Sequence, residues 1–112
     1  MFHSQVESKA IDQLFTAMKE IENVEDFYKF FDDLCTFGEL QTMSQRFQVA
    51  KMLYEGKTFA KICEETGAST ATITRVNKAL HYGPGGYRLA LDILKAEENP
   101  ASACNGSAPD IK

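Results

Sequence analysis

A chain of 112 residues is long enough for one domain with its own core, and 44% hydrophobic residues is typical of a globular protein. Twelve basic against sixteen acidic residues give a net charge of −4, which argues weakly against a nucleic-acid partner. The apolar runs are too short for a membrane span, and three cysteines without a CxxC pair favour neither a disulfide framework nor a zinc site.

Apolar periodicity predicts three helices in the first half of the chain. The first covers residues 4–21, and a second helix, capped by Asn23, extends to Leu34. Residues 36–38 are expected to interrupt the helical pattern before a third helix from about Glu39 to Glu55. The first two helices carry more apolar side chains than a small lone domain easily covers. This suggests either a thick core or a second copy of the chain.

Residues 58–81 have the spacing of a helix-turn-helix. Thr58 is expected to cap a short helix from Phe59 to Thr66, and Gly67 occupies the position where a tight turn needs a positive φ. Ser69 is expected to cap the second helix, which ends near His81.

The two faces of this second helix differ in chemistry. Ile73, Val76 and Leu80 recur at i, i+3 and i+7 and form an apolar stripe. The opposite face carries small, hydroxyl and basic side chains, namely Ala71, Thr74, Arg75 and Lys78. Slim side chains can approach base edges and cations can hold phosphates, so this helix is predicted to recognise DNA. Two short surface helices joined by a glycine remain the alternative, because short motifs match by chance.

The charges are segregated along the chain in a way that supports this prediction. Residues 40–95 contain eight basic and four acidic residues, a balance of +4, whereas the remainder contains four basic and twelve acidic residues, a balance of −8. A locally positive module on an acidic body is compatible with site-specific DNA binding.

The C-terminal part begins with a helix break at residues 83–86, GPGG. A last helix is predicted from Tyr87 to about Ala96, and the polar residues 97–112 are expected to form a disordered tail. Residues 1–96 are therefore expected to form a single all-α domain of about six helices.

No group of residues predicts catalysis. The two histidines are far apart in sequence, the adjacent acidic pairs at 32–33 and 64–65 point in different directions on a helix, and GPGG lacks the Lys-Ser/Thr of a phosphate-binding loop. We therefore expect a protein that is not an enzyme and has no cofactor or metal site. The N-terminus lacks the basic and apolar regions of a signal peptide, which predicts a cytoplasmic location.

The segment GASTATITRVNKAL and the preceding SQRFQVAKMLYEG resemble the tryptophan repressor family, and the whole chain is most similar to its YerC/YecD branch of Trp-repressor-related proteins. The similarity extends over about residues 27–94 and is strongest at 71–75. It implies an all-α, two-fold homodimer whose N-terminal helices interlock between subunits. It also implies a transcription regulator that binds double-stranded DNA through its helix-turn-helix, and it favours a repressor over an activator.

The resemblance also implies site residues. DNA contacts in the family fall on the turn and the early recognition helix, and the helical wheel adds Lys78. The predicted DNA-binding residues are Ser69, Thr70, Ala71, Thr72, Thr74, Arg75 and Lys78.

By the same resemblance, the family binds L-tryptophan with one threonine and two arginines. The matching positions in this chain are Thr36, Arg46 and Arg75, so these polar side chains are retained. Tryptophan-binding members have a glycine after the last arginine, and this chain has Val76. The valine side chain should fill the space of the indole ring, because adding volume to a packed site is costly. We therefore expect L-tryptophan not to bind, which leaves a different small-molecule effector or none.

One alternative function stays open. A helical dimer could use the same helix-turn-helix to hold a protein partner after losing DNA binding, with the acidic N-terminal half contributing. Substitution of Arg75 and Lys78 separates the two functions, because only DNA binding needs these cations for phosphate.

Overall fold

The computed structural model of the chain describes Ser4 and residues 7–98. These residues form six helices and no strand, which confirms the all-α prediction. The helices are α1 (Lys9–Lys19), α2 (Val24–Leu34), α3 (Phe37–Tyr54), α4 (Phe59–Thr66), α5 (Thr70–Tyr82) and α6 (Gly86–Glu98). The chain divides into two compact units, one up to Leu40 and one from Gln41 onward, and each is described by itself.

In the first unit, α1 and α2 begin at side-chain caps. The Asn23 side chain accepts the Asp26 N–H at 2.9 Å, which confirms the predicted cap of α2. The Ser8 hydroxyl accepts the Ile11 N–H at 3.1 Å in the same way. The predicted helix start at residue 4 is wrong, because Ser8 has extended backbone geometry and helical geometry begins only at Lys9. Neither α1 nor α2 contains a buried residue.

The predicted interruption at residues 36–38 is instead the beginning of α3. Thr36 Oγ1 accepts the Glu39 N–H at 3.0 Å, and Glu39 Oε1 accepts the Thr36 N–H at 2.8 Å. This reciprocal capping box satisfies two N–H groups that the helix itself leaves unpaired. Phe37 and Gly38 therefore form the first turn of α3, two residues earlier than the predicted start at Glu39.

The core of the second unit consists of apolar side chains from α3, α4, α5, α6 and the turn between α4 and α5. Its buried members are Val49, Ala50, Met52, Ile62, Ala68, Ile73, Val76, Leu80 and Leu91. The predicted stripe of α5 is confirmed, since Ile73, Val76 and Leu80 are 0%, 4% and 3% exposed. Burial of this stripe fixes which face of α5 remains at the surface.

The last helix is longer than predicted at both ends. It begins at Gly86 and continues through Glu97 and Glu98, which are good helix formers and precede the Asn-Pro sequence at 99–100. The rest of the predicted tail, residues 99–112, lies outside the described residues. The organisation of residues 1–96 as a single domain stays a prediction.

The turn glycine offers a direct test of local geometry. Gly67 has φ +74°, and a Cβ added there would meet no atom within 4 Å. Gly67→Ala is therefore expected to lower the free energy of unfolding by about 1–2 kcal/mol through backbone strain alone. The matched control is Gly38→Ala in α3, where φ is not positive and space is also open. We expect that control to be neutral or stabilising by up to about 1 kcal/mol in urea denaturation. Equal effects of the two substitutions would contradict this account of the turn.

Candidate nucleic-acid interface

Helices α4 and α5 form the predicted helix-turn-helix. Thr58 Oγ1 accepts the Lys61 N–H at 3.1 Å and caps α4, and Ser69 Oγ accepts the Thr72 N–H at 3.1 Å and caps α5. Between them Gly67 adopts the left-handed conformation, with its N–H bonded to the Cys63 carbonyl. The predicted caps and the turn glycine are confirmed, and local sequence signals were sufficient to place this motif.

The turn between α4 and α5 is also held by side chains that the sequence did not reveal. Thr66 Oγ1 donates to the Ile62 carbonyl at 2.7 Å and accepts the Ala68 N–H at 3.1 Å. Gln45, on α3, donates its Nε2 to the Thr66 carbonyl at 3.1 Å. Helix α3 is therefore bonded directly to the turn. Thr66 directly precedes Gly67, so its place beside the turn can be recognised from the sequence. Its partner Gln45 lies 21 residues away, where no local pattern indicates the contact.

The exposed face of α5 carries the predicted DNA-binding side chains. All seven predicted residues except Thr72 are exposed, and Thr72 is half-buried with its hydroxyl 3.2 Å from Ser69 Oγ. The first turn of α5 contains no acidic residue. Small, hydroxyl and basic groups therefore share one solvent-facing surface, which is the chemistry that base edges and phosphates require.

The cations near the turn differ in their surroundings. Lys61 Nζ on α4 lies 3.0 Å from Glu65 Oε2. For Arg75 and Lys78 on α5, no acidic group lies within ion-pair distance among the described residues. Because their charge is not compensated by a neighbour, these two side chains are the cations of the motif best suited to phosphate contacts.

The predicted ligand-pocket residues have different environments. In the first unit Thr36 is exposed, and its hydroxyl accepts the Glu39 N–H. In the second unit Arg46 and Arg75 are exposed, whereas Val76 belongs to the buried core. The predicted inward orientation of Val76 is therefore confirmed by its burial.

A cavity of about 280 Å³ lies between the C-terminal parts of α3 and α6, and the sequence did not predict it. Its lining residues are Lys51, Tyr54, Glu55, Leu91, Leu94, Lys95 and Glu98. The hydrogen bond from Lys51 Nζ to Glu55 Oε2 at 3.1 Å raises the pKa of the lysine above its usual value. Within residues 7–98, no cluster of three or more metal-binding side chains occurs and no helix could cross a lipid bilayer.

Residues 9–95 match the model of the family described as Trp repressor protein. The chain belongs to the Trp repressor family. This member is 48% identical over 99 residues to the uncharacterised protein YerC of Bacillus subtilis (strain 168), which covers 88% of this chain and 95% of YerC. It is 39% identical over 62 residues to the Trp operon repressor homolog of Chlamydia caviae, which covers 54% of this chain and 61% of that protein.

Two solved structures have the same fold as this Trp repressor family member. A candidate Trp repressor from Staphylococcus aureus superposes with a TM-score of 0.77 at 49% identity, covering 81% of this chain and 91% of that chain. A TrpR-like protein from Eubacterium eligens superposes with a TM-score of 0.77 at 46% identity, covering 81% and 94%. The predicted family, its YerC branch and the all-α, Trp-repressor-like fold are thereby confirmed.

Proposed function

We propose that this Trp repressor family member is a sequence-specific DNA-binding transcription regulator, and specifically a cytoplasmic repressor. The observation that most supports this proposal is that α5 has a buried apolar stripe and an exposed face whose cations, Arg75 and Lys78, form no ion pair among the described residues. The family relationship supports a regulator and not an enzyme.

Each exposed side chain has a distinct role in the proposed complex. Arg75 and Lys78 hold phosphates or guanine edges, because their cationic donors match those acceptors. Ala71 and Thr74 face the base edges, where small side chains allow close approach to thymine methyl groups. Ser69, Thr70 and Thr72 lie at the start of α5, where they and the backbone N–H groups meet the DNA backbone.

The proposed regulator acts as a homodimer. One helix-turn-helix reads only a few base pairs, and a two-fold dimer places two recognition helices about 34 Å apart on one side of the duplex. In the first unit, large apolar side chains are exposed, with Phe15 at 57%, Val24 at 70% and Phe37 at 77%. A second copy of the chain would remove such side chains from water, which favours association.

The proposed function is tested by titrating the purified protein with labelled genomic DNA fragments at several salt concentrations. We expect binding whose log affinity falls linearly with log salt concentration, because phosphate contacts release counterions. Absence of binding at low salt, or binding insensitive to salt, would contradict a DNA-binding function.

We further propose that the regulator does not respond to L-tryptophan, because Val76 occupies core space where tryptophan-binding members have glycine. Calorimetry of the parent with L-tryptophan is expected to give no saturable heat. Val76→Gly, which opens that space, is expected to gain binding, and Val76→Ala opens less space and should gain less. Saturable binding by the parent that Val76→Gly does not improve would refute this proposal.

A further inference from the structure

The last turn of α5 contains a carbonyl group that the helix itself cannot satisfy. The residue four positions after Leu80 is Pro84, which has no N–H to donate. The neighbouring Ala79 carbonyl does receive a normal helical bond, from the Gly83 N–H at 2.8 Å. Leu80 lies in the core, where an unpaired carbonyl would be costly. The break that ends the recognition helix therefore creates a need for an outside donor.

Arg88 of α6 supplies that donor. Its Nε–H donates to the Leu80 carbonyl at 3.1 Å, and its Nη2 lies 3.5 Å from His81 Nδ1. A cation in the first turn of α6 is placed unfavourably for the dipole of its own helix, and that turn contains no acidic residue. The same cation lies at the C-terminal end of α5, where the dipole favours it. The position of Arg88 is thus explained by its interaction with α5.

One further side chain, Tyr54, contacts Arg88, and Asp92 in turn bonds to Tyr54. The Arg88 guanidinium lies over the ring of Tyr54, 5.8 Å from its centroid, at the end of α3. The Tyr54 hydroxyl donates to Asp92 Oδ1 at 2.8 Å, and Asp92 lies one turn after Arg88 on α6. This hydrogen bond raises the pKa of Tyr54 above its usual value. Arg88, Tyr54 and Asp92, together called the Arg88 strap, join α3 and α6 to the end of α5.

We propose that Arg88 is a positioning residue for DNA recognition. By bonding the Leu80 carbonyl, it holds the last turn of α5 against the core and so fixes the direction of the whole recognition helix. Arg75 and Lys78, on that helix, can then meet the DNA together. This inference rests on the proposed DNA-binding function, and Arg88 acts through α5 without contacting DNA.

The first arm of the test uses the free protein and needs no DNA. Arg88→Met keeps the length of the side-chain stem and removes its donors, so amide hydrogen exchange in residues 79–83 is expected to become about tenfold faster. Tyr54→Phe keeps the ring and loses only the bond to Asp92, and it should give a smaller increase. Lys95→Met removes the same charge two turns further along α6 and should leave these rates unchanged. Unchanged exchange in Arg88→Met would overturn the proposal.

The second arm measures binding to labelled genomic DNA fragments below the melting temperature of every variant. Arg88→Met is expected to weaken binding about tenfold with an unchanged slope of log affinity against log salt, because no phosphate contact is lost. Arg75→Ala, in contrast, should reduce that slope by about one unit. Arg88→Lys keeps the charge but lacks the planar guanidinium, and it should restore little affinity.

The outcomes separate this inference from the proposed function. A lower salt slope in Arg88→Met, or full rescue by Arg88→Lys, would identify Arg88 as a phosphate contact and overturn the positioning role. Faster exchange with unaltered DNA affinity would also overturn it. If the parent bound no DNA, the proposed function would fail, whereas faster exchange in Arg88→Met would still support the strap.

Discussion

Replacement of Ile73 by alanine is expected to lower the free energy of unfolding by about 2–5 kcal/mol. Ile73 is 0% exposed and belongs to the buried stripe of α5, so truncation removes apolar contacts and leaves a cavity in the core. Because small domains are stable by only about 5–15 kcal/mol, this is a large fraction of the total. The measurement is urea denaturation followed by circular dichroism.

The neighbouring residue provides a matched control for this prediction. Thr74 lies on the exposed face of α5, and Thr74→Ala is expected to change the free energy of unfolding by no more than about 0.5 kcal/mol. The same control variant should bind DNA more weakly if Thr74 faces base edges. Similar stability losses in the two variants would mean that the buried and exposed faces of α5 are wrongly assigned.

Arg75→Ala and Lys78→Ala are each expected to lower the DNA affinity on the order of tenfold near physiological salt. Each variant should weaken binding about equally across DNA sequences if its cation contacts phosphate, and each should reduce the salt slope by about one unit. The double variant should reduce the slope by about two units, since the two contacts are independent. Both side chains are exposed, so stability should change little.

The control for this charge removal is Lys95→Met, because it takes one positive charge from the second unit away from α5. It should reproduce the parent affinity and slope. If Arg75→Ala and Lys78→Ala also bound DNA like the parent, the recognition face would not include these cations. That result would favour the protein-interaction module over the DNA-binding regulator.

The sequence predicted those parts of the site that depend on neighbouring residues. The caps at Thr58 and Ser69, the positive φ of Gly67 and the burial of Val76 all follow from local turn chemistry or helical spacing. The start of α3 was missed although its signal is local. Residues 36–39 read T-F-G-E, which is a capping box, but the glycine in the first turn was interpreted as a break.

The parts that were not predicted are hydrogen bonds between distant residues. Gln45 bonds to Thr66 across 21 positions, and Tyr54 bonds to Asp92 across 38 positions. Such pairs form only when α3, α4 and α6 pack around a shared core, and no rule of sequence spacing identifies them. The role of Arg88 was not predicted for a related reason. Its hydrogen bond to the Leu80 carbonyl matters because Pro84, between α5 and α6, has no N–H to donate to that carbonyl.

The most direct measurement is selection and sequencing of genomic DNA fragments retained by the purified protein near physiological salt without added ligand. We predict enrichment of a two-fold symmetric site with half-sites about 10 base pairs apart, as expected for a dimer with one recognition helix in each major groove. The Arg75→Ala/Lys78→Ala double variant should lose this enrichment. Failure to enrich any site, both without ligand and with a metabolite extract, would contradict the assignment of a DNA-binding regulator.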